Sequence, residues 1–254
     1  MIPINLDIST IILYFLMCLA GDFKRVILSF FIILTHEMGH LFFLKIFQVQ
    51  VDKLTIYPFG GLLKTSKLIN FSPLKELLIA MAGILNQLIL YFVILILYRN
   101  NLINTYTYNL FLTLNTSLIL FNIIPIYPLD GYIILSSIFN IFIPYLKSNI
   151  ISLIISLITL IIFILYSYNH KINSIFVISF LIYKIYNYLK DYKYLQNKFL
   201  LERIMYDIPY NKIIYLNTYS PYYIKLNKYY YFNYQKEQKI IKNNYIKYKI
   251  SHTK

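Results

Sequence analysis

Long runs of apolar residues recur through the first three quarters of the chain and then stop. Several approach the length of about 17–25 residues that an α-helix needs to cross a bilayer. They predict transmembrane helices over residues 8–20, 26–47, 74–98, 106–124, 149–166 and 172–189. The pattern therefore predicts an all-α polytopic membrane domain of six transmembrane helices over residues 1–190, followed by a more polar segment over residues 191–254.

The helical pattern is interrupted between the second and third runs. Residues 48–67 alternate between apolar and polar positions and contain Pro58, Phe59, Gly60 and Gly61. A Gly-Gly pair between short apolar stretches is typical of a β-hairpin. Non-helical backbone is tolerated at membrane depth only where protein or a water-filled cavity covers it. We therefore expect a short membrane-associated hairpin here.

A second interruption follows the fourth apolar run. Pro125, Pro128 and Gly131 lie within seven residues, and proline removes a backbone donor and clashes with the preceding helical turn. We expect the chain to unwind there and to restart as a shorter helix over residues 132–143.

Composition agrees with a membrane protein. Hydrophobic residues make up 59% of the chain and charged residues only 13%, whereas about 25% of the residues in a soluble domain are charged. Cys18 is the only cysteine. An intramolecular disulfide and a cysteine-based structural zinc site are therefore excluded.

The positive charge is concentrated near the C-terminus. The formal net charge is +14, and residues 190–254 hold 13 Lys and Arg against four acidic residues. No nucleic-acid-binding motif accompanies this charge, so we expect no nucleic-acid partner. With six spans, the basic residues near the span ends place both termini and the hairpin in the cytosol, where the tail would face anionic lipid.

The second apolar run contains an H-E-x-x-H motif formed by His36, Glu37 and His40. Positions i and i+4 share one face of a helix, so two imidazoles can converge on one zinc ion. Glu37 lies beside them and could reach a water molecule at the metal. Burying these groups in hydrocarbon is costly unless a cation pairs them. The motif therefore predicts a metal site.

A catalytic zinc usually has three protein ligands. Asp130 is the best third candidate, because it is an acid in an apolar context on a broken helix. A helix N-cap without any metal is its alternative role. Glu76 is better explained as a carboxylate at a helix start, and the next histidine, His170, lies on the predicted far side of the membrane.

These motifs carry a resemblance. His36, Glu37 and His40, followed by N-x-x-P-x-x-P-L-D-G from Asn122 to Gly131, resemble the site-2 protease (M50) family of intramembrane metalloproteases. The six-span layout resembles the stage IV sporulation protein FB type within that family. The resemblance implies one Zn²⁺ per chain, held by His36, His40 and Asp130, with Glu37 as general base.

The resemblance also suggests other site residues. Asn122 matches a family residue implicated in substrate or transition-state contacts, and Phe59, Gly60 and Gly61 resemble part of the family's membrane-facing hairpin. Residues 82–86 are similar to the family's A-G-P-x-x-N segment, with Ile84 in place of the proline. Helix packing for Gly83 and a helix–helix hydrogen bond for Asn86 are open alternatives to a role in the site.

The implied activity is that of a zinc metalloendopeptidase in regulated intramembrane proteolysis. The expected substrate is a membrane-associated protein, namely a pro-sigma factor activated during sporulation. The expected location is the bacterial inner membrane, which for the sporulation type is the mother-cell membrane around the forespore. The resemblance also allows for inhibitory membrane proteins and for a homo-oligomer.

The tail departs from the family pattern. Residues 191–254 are too short for the paired repeats of a CBS domain, so we expect a small basic cytosolic module that is at most a degenerate CBS-like fragment. Residues 212–216 and 222–226 have the composition of β-strands. ATP binding is not expected.

Two other functions are compatible with buried metal-binding residues. A membrane metal-binding protein or transporter would also bury His and Asp, but it would spread its ligands along a pore and would not need Glu37. An inactive regulatory relative would commonly lack Glu37 or a ligand, and all four residues are present.

Overall fold

The computed structural model describes residues 3–57, 60–66, 68–168, 173–206, 208, 212–226, 228–233 and 235–243. Its α-helices are α1 (Ile8–Leu19), α2 (Phe23–Ile46), α3 (Pro73–Arg99), α4 (Thr105–Ile123), α5 (Asp130–Phe142), α6 (Tyr145–Tyr168) and α7 (Asn173–Met205). Its strands are β1 (Ile4–Leu6), β2 (Val51–Tyr57), β3 (Gly60–Thr65), β4 (Lys212–Leu216), β5 (Lys228–Phe232) and β6 (Gln235–Lys236).

The fold is mostly helical, and three of the described helices are long and apolar enough to cross a membrane. These are α2, α3 and α6, and their length and composition are those expected of an integral membrane protein. The prediction of six spans is not confirmed, since only three of the described helices meet both conditions. The 12 residues of α1 extend only about 18 Å, which is less than the hydrocarbon thickness of about 30 Å. Helices α4 and α7 are not among the three, because α4 contains polar residues and α7 contains charged residues that lower their hydrophobicity.

The last helix continues beyond its expected end. We expected the sixth span to finish at residue 189, but α7 runs to Met205. Its second half contains lysines, glutamine and leucine, which favour a helix whether or not lipid surrounds it. The part of the chain after residue 190 therefore begins within a helix.

One compact unit comprises residues 1–67, 77–125 and 129–134. Its sheet has the order β1-β2-β3, with β1 parallel to β2 and β2 antiparallel to β3. The expected hairpin is thus present, but as part of a three-stranded sheet. Pro58 and Phe59, at the turn, lie outside the described residues.

The hairpin packs against α2 through apolar side chains. Leu54 and Ile56 of β2 form a buried cluster with Ile33 of α2, and Leu63 of β3 lies against that cluster. Thr10 of α1 donates its hydroxyl to the carbonyl of Ile56 at 2.9 Å. These contacts hold the sheet beside the helix that carries the H-E-x-x-H motif.

The second compact unit comprises residues 68–76, 126–128 and 135–254. Its sheet has the order β4-β5-β6, with β4 parallel to β5 and β5 antiparallel to β6. The strand expected at 212–216 is present as β4. The one expected at 222–226 is absent, because Pro221–Tyr223 forms a short 3-10 helix and the paired strand is β5.

A buried ionic network stabilises this second unit. Arg203 of α7 and Glu237 are fully buried and form a salt bridge with an N–O distance of 2.8 Å. Arg203 also donates to the Asn70 side-chain oxygen at 3.0 Å, and Glu202 accepts the Asn70 backbone N–H at 3.0 Å. Removing one partner of such a network leaves a buried charge uncompensated.

Candidate metal centre

Helix α2 brings His36 and His40 onto one face, one turn apart. Their Nε2 atoms lie 3.1 Å from each other, and the two residues are only 2% and 6% exposed. Gly83 and Gln87 of α3 cover these side chains, since Gly83 lies against both rings and Gln87 contacts His36. The structure therefore joins the two histidines as the i, i+4 spacing predicted.

Asp130 completes the cluster from the first residue of α5. Its Oδ2 atom lies 3.0 Å from His36 Nε2 and 3.3 Å from His40 Nε2. The break at Pro125 and Pro128 allows the chain to turn before α5 begins. Gly131 is required at this turn, since a Cβ atom there would overlap the carbonyl of Ile123.

The opposite ring nitrogens fix the histidine tautomers. His36 Nδ1 is 3.0 Å from Gln87 Oε1, and His40 Nδ1 is 2.7 Å from the carbonyl oxygen of Ile79. Both partners are oxygen acceptors, so each Nδ1 must carry the proton. Each Nε2 consequently directs a lone pair toward Asp130.

The cluster fits a zinc ion. Asp130 Oδ2 is buried, and the two Nε2 atoms that face it carry no proton in the tautomers described above, so they do not donate to it. Zinc–ligand bonds of about 2.0–2.1 Å in tetrahedral geometry separate neighbouring ligand atoms by about 3.3–3.4 Å. The observed separations of 3.0–3.3 Å are close to one triangular face of that tetrahedron. A cation between these three electron-rich atoms would satisfy all of them at once.

Glu37 lies beside this face rather than within it. Its carboxylate and the ring nitrogens of His36 and His40 lie within 4.8 Å of one another. Glu37 Oε1 accepts the backbone N–H of Gly61 at 3.0 Å. A Cβ atom at Gly61 would lie 2.6 Å from that oxygen, so only glycine lets β3 approach so closely. The hairpin thereby orients a buried carboxylate next to the metal face.

Helix α3 supports the site from the other side. A Cβ atom at Gly83 would lie 2.5 Å from His36 Cε1 and from His40 Nε2. Asn86 donates its amide to the carbonyl of Thr35 on α2. Gly83 thus has the role in helix packing, and Asn86 the helix–helix hydrogen bond, that the sequence left open for them.

Sequence reasoning did not find the residues that orient the histidines. Gln87 is fully buried, and its amide lies 3.4 Å from Asn115 Oδ1 on α4. The available signal was a glutamine and an asparagine within apolar helical runs, where buried polar groups need partners. Their partners could not be assigned without the packing of α2, α3 and α4.

Other predicted residues make different contacts from those of the cluster or lie outside the described chain. Asn122 is buried, but it donates its side-chain amide to the carbonyl of Leu118 in its own helix at 3.1 Å. Gly60 belongs to β3 and has open space where a Cβ atom would lie. Phe59 and His170 are not among the described residues.

Comparisons with known proteins agree with this geometry. The family model for Peptidase family M50 matches residues 25–104, which include the H-E-x-x-H motif. The chain is 28% identical over 188 residues to the stage IV sporulation protein FB of Bacillus subtilis, covering 73% of this chain and 65% of that protein. It is 36% identical over 126 residues to a zinc metalloprotease of Methanocaldococcus jannaschii, covering 48% and 36%.

A solved structure is similar over most of its own length. The site-2 protease from Methanocaldococcus jannaschii is 31% identical, with a TM-score of 0.59, and the match covers 73% of this chain and 90% of that structure. The chain spans 65% and 36% of the lengths of the two relatives described above. Fold, motif and identity together show that the chain belongs to the site-2 proteases of peptidase family M50.

Proposed function

We propose that this protein is an intramembrane zinc metalloendopeptidase that hydrolyses a peptide bond in a membrane-associated protein. The convergence of His36 Nε2, His40 Nε2 and Asp130 Oδ2 within 3.0–3.3 Å of one another carries this proposal. A transporter would need ligands distributed along a path. Here the three atoms meet at one point, and Gly61 holds the carboxylate of Glu37 beside them.

Glu37 is the proposed general base. A bound zinc ion would lower the pKa of a coordinated water toward about 7 and polarise the scissile carbonyl. Glu37 accepts the proton of the attacking water and then delivers it to the leaving amide nitrogen, so that the C–N bond breaks to give a carboxylate and an amine. Its hydrogen bond from Gly61 keeps the carboxylate oriented for both transfers.

Substrate would be presented in extended form by the hairpin. A transmembrane helix protects its carbonyls in internal hydrogen bonds, so it must unwind before cleavage. The N–H of Gly61 points away from β2 toward Glu37, whereas the N–H of Ser66 bonds back to Gln50 on the β2 side. Alternation along the strand places the N–H groups of Leu63 and Thr65 on the outer edge with Gly61. We infer that a substrate strand pairs with this edge.

The proposed topology has six spans with both termini in the cytosol. The three helices that can cross a bilayer support a membrane location, and the lysine-rich tail supports a cytosolic C-terminus through the positive-inside bias. In this topology α1 is one of the six spans although it is shorter than the hydrocarbon layer, and the bilayer beside it would have to be locally thinner. The opening to water would then lie on the cytosolic side, with the hairpin.

A pro-sigma factor is the proposed substrate class. The support is the similarity to a protein named for stage IV sporulation, and the corresponding location is the bacterial inner membrane around the forespore. Inhibitory membrane proteins and a homo-oligomer are further proposed partners, because a protease that opens membrane segments must be restrained.

Replacement of Glu37 tests the proposed activity. The full chain is co-expressed with candidate membrane-tethered pro-sigma substrates, and wild type is compared with Glu37→Gln. We expect the variant to retain zinc and to lose cleavage, while a matched carboxylate-to-amide control, Glu76→Gln, retains both. Cleavage that persists in zinc-loaded Glu37→Gln would refute the assignment of the base and of the peptidase site.

A further inference from the structure

The second unit carries a basic, aromatic surface at the first turn of α6. It consists of Lys147 at the start of α6 and of Tyr222, Tyr223 and Lys225 in the tail, and we call it the interfacial surface. Tyr222 and Tyr223 are 42% and 47% exposed, and Lys147 is also exposed. Large aromatic rings left in the open beside lysines are typical of residues that face a membrane interface.

Direct contacts fix this surface to α6. The backbone N–H of Tyr145 donates to the carbonyl of Ile224 at 3.1 Å. The ammonium group of Lys225 donates to the carbonyl of Phe142, the last residue of α5, at 2.6 Å. Lys147 Nζ lies 5.3 Å from the centre of the Tyr223 ring, within the range of a cation–π contact.

Buried apolar residues hold the same segment from beneath. Ile224 and Leu226 are 0% and 4% exposed, and they belong to one cluster with Leu146 and Phe199. The tail therefore returns to the start of α6 as a packed structure. Tyr222 and Tyr223 precede the buried Ile224 and are exposed, and Lys225 lies half-buried between Ile224 and Leu226.

Like charges gather next to this surface. Lys212 of β4 is directly opposite Lys228 of β5 in the sheet register. Burial, followed by the positive charges of Lys225 and Lys212, lowers the pKa of Lys228 below its ordinary value. Repulsion among these ammonium groups favours binding of an external anion.

In a bilayer that α6 crosses, this surface would lie at headgroup level. The helix has 24 residues and is long and apolar enough to cross a membrane, and its length of about 36 Å exceeds a hydrocarbon thickness of about 30 Å. Tyr145 and Tyr168 mark its two ends, as aromatic belts do. The segment bound at Tyr145 must then lie among the lipid headgroups.

We propose that the interfacial surface binds anionic phospholipid headgroups and thereby holds the tail unit against the bilayer. The charge of the surface is complementary to such lipids, and lysines near an anionic leaflet are attracted to it individually. An acidic protein segment has the same charge, but the bilayer is already adjacent wherever α6 crosses it. This inference goes beyond the proposed peptidase function and does not depend on it.

The test measures how close the tail lies to lipid headgroups. The full chain with Cys18→Ser and Thr218→Cys is labelled with a fluorophore at position 218 and placed in nanodiscs. One set contains phosphatidylcholine alone and the other adds phosphatidylglycerol, and both hold the same small fraction of lipid with a nitroxide on its headgroup. Two variants are compared: Lys147→Gln with Lys225→Gln, and a control, Lys239→Gln with Lys242→Gln, which removes equal charge from exposed positions after β6.

We expect stronger quenching in discs with phosphatidylglycerol than in discs without it. The quenching should weaken in 1 M salt, since the Debye length falls from about 8 Å to about 3 Å. The double variant Lys147→Gln, Lys225→Gln should have a ratio of docked to undocked tail that is lower on the order of tenfold, since each lysine near an anionic leaflet contributes about 1 kcal/mol. The control variant Lys239→Gln, Lys242→Gln should keep the wild-type ratio. If the double variant folds poorly, the salt titration of the labelled chain with all its lysines still tests the proposal, because it needs no lysine substitution.

Three results would overturn the proposal. Equal quenching in both kinds of disc would show that anionic lipid is not recognised. An equal loss in both lysine pairs would show a diffuse charge effect rather than this surface. If the tail approached no lipid but an added acidic peptide shielded the label, the surface would belong to a protein partner and the lipid proposal would be wrong. None of these readouts requires peptidase activity, so they are independent of the Glu37→Gln experiment.

Discussion

Gln87 and His36 lie on different helices and are joined by a hydrogen bond of 3.0 Å between Gln87 Oε1 and His36 Nδ1. The bond leaves His36 Nε2 free to face His40 and Asp130. In many zinc sites a carboxylate orients the histidine. An amide does so here without adding charge, which matters because Asp130 and Glu37 already supply two negative groups to match a divalent cation in an apolar environment.

Loss of this hydrogen bond should weaken metal binding. Gln87→Leu removes the acceptor with little change in volume, and we expect zinc affinity to fall about 10–100-fold, as for other residues that orient metal ligands. Gln87→Glu keeps an acceptor oxygen and should retain most of the affinity. Competition with a chromophoric chelator measures both. Wild-type affinity in Gln87→Leu would show that the amide does not position His36.

Gly83→Ala should displace the histidine rings. Alanine favours a helix over glycine by about 1 kcal/mol, so helix propensity alone predicts a more stable protein. The new Cβ would nevertheless lie 2.5 Å from His36 Cε1 and His40 Nε2, and overpacking typically costs about 1–3 kcal/mol. We expect zinc content to fall and thermal stability not to rise. Ile84→Ala, at the next position, is the control and should keep zinc.

Gly61→Ala should separate metal binding from catalysis. The added methyl group would push Glu37 away from its position, because the new Cβ would be 2.6 Å from Oε1. General acid–base catalysis contributes about 10²–10⁴-fold. We therefore expect kcat to decrease by up to about that factor, while zinc affinity stays unchanged. Leu62→Ala serves as the neighbouring control. An unchanged kcat would mean that the Gly61 contact is not needed to orient Glu37.

The outer edge of β3 can be tested at Thr65. Thr65→Pro removes one N–H on the proposed substrate side, where a hydrogen bond contributes about 0.5–1.5 kcal/mol, or roughly 2–10-fold. We expect kcat/KM to fall by that factor while zinc remains bound. Thr65→Val keeps the N–H and the β-branched shape, so it should behave as wild type. Equal activity of the proline and valine variants would argue against strand pairing at this edge.

The sequence predicted the helices better than it predicted their ends or partners. Helix α4, expected at residues 106–124, spans Thr105–Ile123, because an apolar run bounded by polar residues defines it locally. Strand β1 was not expected, since three residues show no periodicity and β1 is formed only by pairing with β2. Helix α7 extends past the apolar run because helix formation does not require lipid.

The metal cluster was predictable for a similar reason. The spacing of His36 and His40 is a local property of one helix, and Asp130 stood out as an acid among apolar residues. Gln87 and Asn115 gave no such signal, because their partners lie on other helices and depend on how α2, α3 and α4 pack. The contact between Gly61 and Glu37 likewise depends on where the hairpin meets α2.

Zinc binding by Asp130→Asn tests the central claim most directly. Asparagine can still cap a helix, but its neutral amide is a poor zinc ligand, so this substitution separates the two roles that the sequence left open for Asp130. The measurement is zinc affinity and stoichiometry of the purified full-length protein, alongside its thermal unfolding. We predict a folded protein whose zinc affinity is reduced at least about 100-fold, whereas a folded Asp130→Asn variant that binds zinc as tightly as wild type would contradict the account.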